Sequence, residues 1–231
     1  MLFKKYPVKI KKRGKKNTKS YRIFYTDLSN NYISPWHNIE LINPITKNYN
    51  MICEIPKWTR QKMEINTKEK YKPIYQDLKN GELRKYLWGD MHFNYGACPK
   101  TWENPNVMSE ETLRFGDDDP LDVIDIGVYQ AQVGDVYEVK PLCILALIDN
   151  NETDWKVIAI NVCDPDSNKI NTIADIKKYK KGALDSIKNW FENYKTVYGN
   201  RKNEFAFEGK YQNKTYTLKI INECHKLWET I

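Results

Sequence analysis

Five aspartates fall within the run GDDDPLDVIDIG at residues 116–127, set among Pro120, Leu121, Val123, Ile124 and Ile126. A solvated acidic patch needs no such apolar company. Burying aliphatic side chains beside so many carboxylates drives like charges together, which is unfavourable unless cations or hydrogen-bond donors compensate. In a chain of net charge +7, this run is the best place for hard divalent ions. Oxygen ligands on an ordered frame suit Mg2+, an ion that commonly works on phosphates. Asp117 and Asp119 face the same way on an extended segment, where side chains alternate with period two. Pro120 then resets the backbone so that Asp122 approaches their side. Asp118 reads as a loop residue capping backbone amides.

A second acidic segment, DNNETDWK, carries Asp149, Asp154 and Lys156. Alone it reads as a polar hairpin loop. Paired with the first run it offers two further ligands and a lysine for phosphate. Glu54 in CEIPKW and Glu64 in QKMEI can complete a polar pocket, or equally make strand-edge salt bridges. Lys62, Arg84 and Lys195 can bind phosphoryl oxygens, and the Arg84 guanidinium can do so with two donors at once. Tyr95 and Tyr194 offer hydroxyls, although an aromatic anchor with a wet tip explains both. His37, His92 and His225 are too scattered for a metal site and read as structural or solvent-facing. Cys53, Cys98, Cys143, Cys163 and Cys224 form no CxxC pair and are expected to be reduced and mostly buried, which favours an intracellular protein. There is no GxxxxGK[ST] phosphate loop.

The elements that must position these residues follow from hydrophobic pattern. Strands are expected over Tyr21–Tyr25, Asn50–Ile55, Asp122–Val128, Asp135–Leu147 and Trp155–Asn161. Asn80-Gly81 is expected to turn a hairpin between Tyr75–Leu78 and Glu82–Tyr86. Leu184, Ile187, Trp190, Phe191 and Tyr194 make one helical face, and Leu218, Ile221, Cys224 and Trp228 another. Residues 199–209 read as a loop anchored by Phe205 and Phe207. The pattern indicates a central antiparallel sheet or barrel with helices packed outside, its closure undetermined. One domain spans residues 1–231, with a basic extension at about residues 1–20. That lysine-rich run reads as a solvated edge in preference to a nucleic-acid-binding surface. No spanning or signal-like apolar stretch is evident, so no membrane association is expected.

Taken together, the segments EIPKW, KMEI, NYGACPKTWE, GDDDPLDVIDIG, ETDWKVIA, WFENYK and FAFEGK resemble soluble family I inorganic pyrophosphatase in its eukaryotic form. DDDPLDV at Asp117–Val123 is the most specific of them, and the resemblance covers nearly the whole chain beyond the first twenty or so residues. It implies an α+β fold built on a mainly antiparallel, five-stranded OB-like β-barrel with peripheral α-helices. It implies an Mg2+-dependent hydrolase of phosphate metabolism, cytoplasmic and homodimeric, that splits pyrophosphate into two phosphates by direct attack of metal-activated water. By the same resemblance Asp117, Asp119, Asp122, Asp149 and Asp154 are metal ligands, and Asp119 also helps deprotonate the attacking water. Glu64 supports the metal–water network and Glu54 is an outer carboxylate. Lys62, Arg84, Tyr95, Lys156, Tyr194 and Lys195 are the contacts to pyrophosphate and product phosphate. The chain departs from the family in three places. The link from Arg84 to Tyr95 is short, Met91 stands where that form often has another active-site tyrosine, and Asp125 replaces a glutamate in the tail of the motif. Another metal-dependent phosphohydrolase and a nucleic-acid-binding OB-like protein are the alternatives, with no specific nucleic-acid partner expected.

Overall fold

The computed structural model describes residues 2–231, an α+β arrangement of mostly antiparallel sheets. In chain order, β1 (Lys9–Arg13), β2 (Arg22–Thr26) and β3 (Tyr32–Ile33) precede a short helix α1 (Pro35–Asn38) and β4 (Tyr49–Ile55). The three-residue strands β5 (Met63–Ile65) and β6 (Ile74–Gln76) follow, then the small hairpin β7 (Leu78–Lys79) and β8 (Glu82–Leu83). Next come β9 (Asn94–Ala97), β10 (Asp122–Asp125), β11 (Val136–Asp149) and β12 (Glu152–Asn161). Helices α2 (Ile173–Tyr179) and α3 (Ala183–Asn193), strand β13 (Glu204–Phe205) and helix α4 (Lys214–Trp228) complete the chain.

The main sheet positions the site. Its ladder runs β12-β10-β9-β4-β11, and β11 pairs in turn with β12, so these strands are hydrogen-bonded in a cycle. All the pairings are antiparallel except that of β10 with β12. A sixth strand, β13, adds to β11 through Leu147–Phe205 and Ile148–Glu204. A second sheet in the order β1-β2-β6-β5, with β3 on β2, stands beside it. Five strands therefore undercount the molecule. Of this second sheet the sequence pattern marks β2, overlapping the expected Tyr21–Tyr25, and part of β6, overlapping the expected Tyr75–Leu78, whereas β1, β3 and β5 are flanked by Lys, Asn and Pro and show little alternation.

Strands β4, β10, β11 and β12 are buried almost throughout, since alternate residues feed two apolar clusters. Ile52, Ile124 and Ile158 join the cluster that includes Trp190 and Phe191 of α3, whereas Cys53, Val123 and Val157 join the one that includes Ile220 and Ile221 of α4. Pro141 sits inside β11 where the register with β12 shifts, the place where a missing amide donor costs no ladder bond. Gly96 is required where β9 crosses β4: a Cβ there would lie 1.9 Å from the Ile52 carbonyl oxygen. Gly96→Ala is expected to cost about 3 kcal/mol or more of unfolding free energy, because only backbone displacement relieves that clash; a denaturant midpoint equal to that of the wild type would refute it.

Asn80 and Gly81 both have positive φ, 53° and 77°, as a two-residue primed turn demands. The hairpin they close is shorter than expected, because Ile74–Gln76 pairs with β2 and β5 instead. Helix α3 buries Leu184, Ile187, Trp190 and Phe191 as the spacing predicts. Helix α4 is rotated by about one residue: Thr217, Ile220, Ile221 and Cys224 are buried, while Leu218 and Trp228 are half-buried. The 199–209 stretch contains β13, not loop alone. In the basic N-terminus, Phe3 is buried against Tyr137, Lys5 pairs with Asp135 at 2.7 Å, and Lys9–Arg13 forms β1. Met1 lies outside the described residues. Among those described, no helix is long and apolar enough to cross a membrane.

Candidate active site

The first acidic run is not an extended segment. Asp118 has a φ of 68°, a left-handed conformation that aspartate tolerates, and this turn stands between Asp117 and Asp119. The Asp119 amide donates to Asp117 Oδ1 at 3.1 Å. The backbone of Glu103 clamps the turn from the other side, its amide donating to the Asp119 carbonyl and its carbonyl accepting from the Asp118 amide, both at 2.9 Å. Asp118 points away, accepting from Lys68 at 2.7 Å and from the Trp102 indole at 3.1 Å. A positive-φ turn, not period-two alternation, thus organises the aspartates.

Asp122 opens β10, where the ladder places it opposite Lys156 of β12 and Ala97 of β9. Asp154 and Lys156 are two apart on β12 and so share a face. The Lys156 ammonium meets both Asp122 and Asp154 and lies 3.1 Å from the Tyr95 hydroxyl, which itself donates to Asp122. At the tip of β11, Asp149 accepts from Tyr194 at 2.7 Å and from Lys195; α3 ends at Tyr194 and delivers both residues. Lys62 precedes β5 and pairs with Glu64 and, at 3.4 Å, with Asp77. Asp77 also holds Arg84 at 2.8 Å. Glu54, on β4, accepts from the Ile65 amide at 2.7 Å. Every residue named from the sequence as a ligand, base or phosphate contact lines one cavity of about 230 Å³.

Charge is concentrated there. Burial, then the neighbouring Asp154, pushes the Asp117 carboxyl well above its ordinary range. Burial lifts Asp154 to about 8 even though Lys156 opposes it. Asp119 stands at the mouth, open on its outer side; desolvation on the inner side, then Glu64, raises it to about 7. Glu54 is likewise raised, by burial and then Asp122. Asp149 goes the other way: its hydrogen bonds from Lys195 and Tyr194 outweigh burial and lower it. Burial disfavours the Lys62 and Lys156 charges, but Glu64 beside the first and Asp122 and Asp154 beside the second hold both pKa values above the usual one.

Glu103, in the TWENP segment, was not singled out from the sequence. Its Oε1 accepts from the Trp155 amide at 2.9 Å, while its buried Oε2 has no hydrogen-bond partner among the described residues. One carboxylate oxygen each from Glu103, Asp117 and Asp154 lie within 4.8 Å of one another. An orphaned buried oxygen in a set of hard carboxylate donors fits a divalent cation, whose charge would offset their repulsion. Glu152 and Tyr86 also line the cavity. They carry no local pattern that would have marked them.

Other expected residues lie elsewhere. Asp125 is fully buried and accepts from the Gly127 and Asn161 amides, from Asn94 and from the Tyr137 hydroxyl at 2.8–3.0 Å, a purely architectural set. Met91 is buried in the core, its backbone paired with Thr59, and does not line the cavity. His37 accepts from the Trp228 indole at 2.8 Å, His92 meets Ser186 and His225 meets the Lys100 carbonyl. All five cysteines are free.

The family model for inorganic pyrophosphatase matches residues 51–229. The chain is 43% identical over 241 residues to inorganic pyrophosphatase 2, mitochondrial, of Mus musculus, covering 94% of this chain and 72% of that one. It is 42% identical over 225 residues to soluble inorganic pyrophosphatase 6, chloroplastic, of Arabidopsis thaliana, with 96% and 73% covered. Among solved structures, the N-terminally truncated vacuolar soluble pyrophosphatase of Trypanosoma cruzi in complex with PPi superposes with a TM-score of 0.92 at 42% identity, covering 99% of this chain and 92% of that one.

Proposed function

From the premise that the chain belongs to the inorganic pyrophosphatase family, we propose that its carboxylate-lined cavity hydrolyses inorganic pyrophosphate to two phosphates with divalent cations, Mg2+ being a hard ion suited to carboxylates together with substrate phosphate oxygens. The observation that carries this reading is the convergence of Asp117, Asp119, Asp122, Asp149 and Asp154 with Lys62, Arg84, Lys156 and Lys195 in one cavity. Carboxylates alone would repel pyrophosphate, and cations alone would bind it without activating water.

The five aspartates would hold the cations, with Glu103 added by its orphaned oxygen. When bound, these ions neutralise phosphoryl charge and make water more acidic. Asp119, raised toward neutrality and open at the mouth, accepts the proton of the attacking water. Lys62 and Arg84, aligned by Asp77, orient one phosphoryl group, and Lys156, Tyr194 and Lys195 engage the other. Tyr95 positions Lys156 and Asp122. Glu54 and Glu64 complete the polar wall. No covalent enzyme intermediate is needed.

An OB-like barrel is part of the same proposal and is supported by the cyclic strand pairing. So are a single domain over residues 1–231, a homodimer and a cytoplasmic location, which follow the family resemblance. Phosphate release from pyrophosphate should require Mg2+ and be far slower from a nucleoside triphosphate. Equal release from the triphosphate would favour a broader phosphohydrolase. Tight, salt-sensitive RNA binding without hydrolysis would favour the nucleic-acid reading.

A further inference from the structure

Tyr86 is a polar group of the cavity to which the site reading has given no role. It lines the site and is 5% exposed. Its ring packs edge-on against Trp190 and Tyr194, with centroids 4.9 and 5.5 Å away, and these contacts direct it. The backbone explains its place. Gln61 and Lys85 form an antiparallel bridge, the Lys62 amide donates to the Arg84 carbonyl at 3.1 Å, and the Tyr86 amide donates to the Arg60 carbonyl at 2.8 Å. Arg84 and Tyr86 therefore flank Lys85 on an extended segment and turn to the same side, beside Lys62.

The neighbouring tyrosines are occupied. Tyr95 donates to Asp122, Tyr194 to Asp149 at 2.7 Å, and Tyr75 to Glu64 at 3.0 Å. The Tyr86 hydroxyl has no hydrogen-bond partner among the described residues and, unlike the orphaned Glu103 Oε2, is not fully enclosed, so it opens into the cavity. Burial pushes its pKa up to about 12 against the pull of Lys62, Arg84 and Lys156, so it remains a neutral donor at physiological pH. The ammonium and guanidinium groups around it are themselves only donors. An O–H set among these cations is placed to give its hydrogen to an anion that enters between them.

We propose that Tyr86 is a substrate-binding residue whose hydroxyl donates a hydrogen bond to an oxygen of the phosphoryl group held by Lys62 and Arg84. This rests on the pyrophosphatase reading of the site. Tyr86→Phe removes one oxygen and keeps the ring contacts. It is expected to raise KM for pyrophosphate about tenfold with a smaller change in kcat, as a lost hydrogen bond to a charged group would. Calorimetric titration with imidodiphosphate, a hydrolysis-resistant analogue, should show Kd rising by a similar factor. Tm should not move, since no protein partner is lost. An active wild type with an Y86F variant of unchanged KM and Kd sinks the Tyr86 role alone. A lowered Tm with unchanged Kd would likewise overturn it in favour of a packing role. A wild type that does not hydrolyse pyrophosphate sinks both readings.

Discussion

Asp119→Asn is expected to lower pyrophosphate turnover by about 10²- to 10⁴-fold at saturating Mg2+, the range for loss of a positioned general base, and to leave the fold intact. Asparagine keeps the shape and cannot take a proton at neutral pH. The Asp119 carboxylate makes no hydrogen bond among the described residues; the bonds that hold the turn run through its backbone amide and carbonyl. Desolvation, then Glu64, Asp122 and Asp118, raises the pKa of Asp119 and outweighs the attraction of Lys62, so its ionised form is net unfavourable. Neutralising it therefore removes repulsion without removing a contact. Tm of the metal-free variant at pH 8 should equal or exceed that of the wild type, a combination that unfolding cannot mimic. Unchanged turnover would refute the assignment of Asp119 as base.

The metal-free protein is expected to lose stability as pH rises from about 4 to about 8, and Mg2+ to restore it most at the upper end. The sign follows from linkage. Asp154 is raised to about 8, Asp117 is raised by burial and then Asp154, and Glu103 by burial and then Asp117, whereas in the unfolded chain such groups titrate near roughly 4. Below that pH both states are protonated and no penalty applies. Between the two values the folded state retains protons that the unfolded state has released, so stability falls with rising pH until the folded groups ionise. A cation binds the ionised cluster and offsets the penalty. Mg2+ is thus expected to raise Tm by on the order of 5 °C at pH 8 and far less at pH 5. Calorimetry in EDTA and in Mg2+ across that range checks this, and an increment independent of pH would contradict it.

The acidic run was legible because aspartates amid aliphatic residues admit few explanations; its geometry was not. Period two puts Asp117 and Asp119 on one side, but the turn depends on a left-handed Asp118 and on backbone bonds to Glu103, which lies far from it in sequence. Nothing local to TWENP or KYLWG marks Glu103 or Tyr86, because their significance lies in one Glu103 oxygen and the Tyr86 hydroxyl, which no described residue satisfies. The long buried strands and α3 were readable from continuous or helical apolar spacing. Strands of three residues carry too few side chains to show a period, so β5 was missed and β6 was read only as one arm of a hairpin, although they place Lys62 and Glu64 beside the cavity. In α4, hydrophobicity alone marked the buried Ile221 and Cys224 but not the edge of the face, where Thr217 is buried while the larger Leu218 stays half-buried.

The lysine-rich start of the chain takes on a different character once it is seen as β1. That strand ends the order β1-β2-β6-β5, and its pattern is exposed at four of five positions, with Lys9, Lys12 and Arg13 among them. The free side of a terminal strand presents unpaired amides and carbonyls that a second molecule could extend. Dense like charge along that side repels an identical strand and guards against edge-to-edge aggregation. The cyclic sheet needs no such guard, because each of its five strands already has a neighbour on either side.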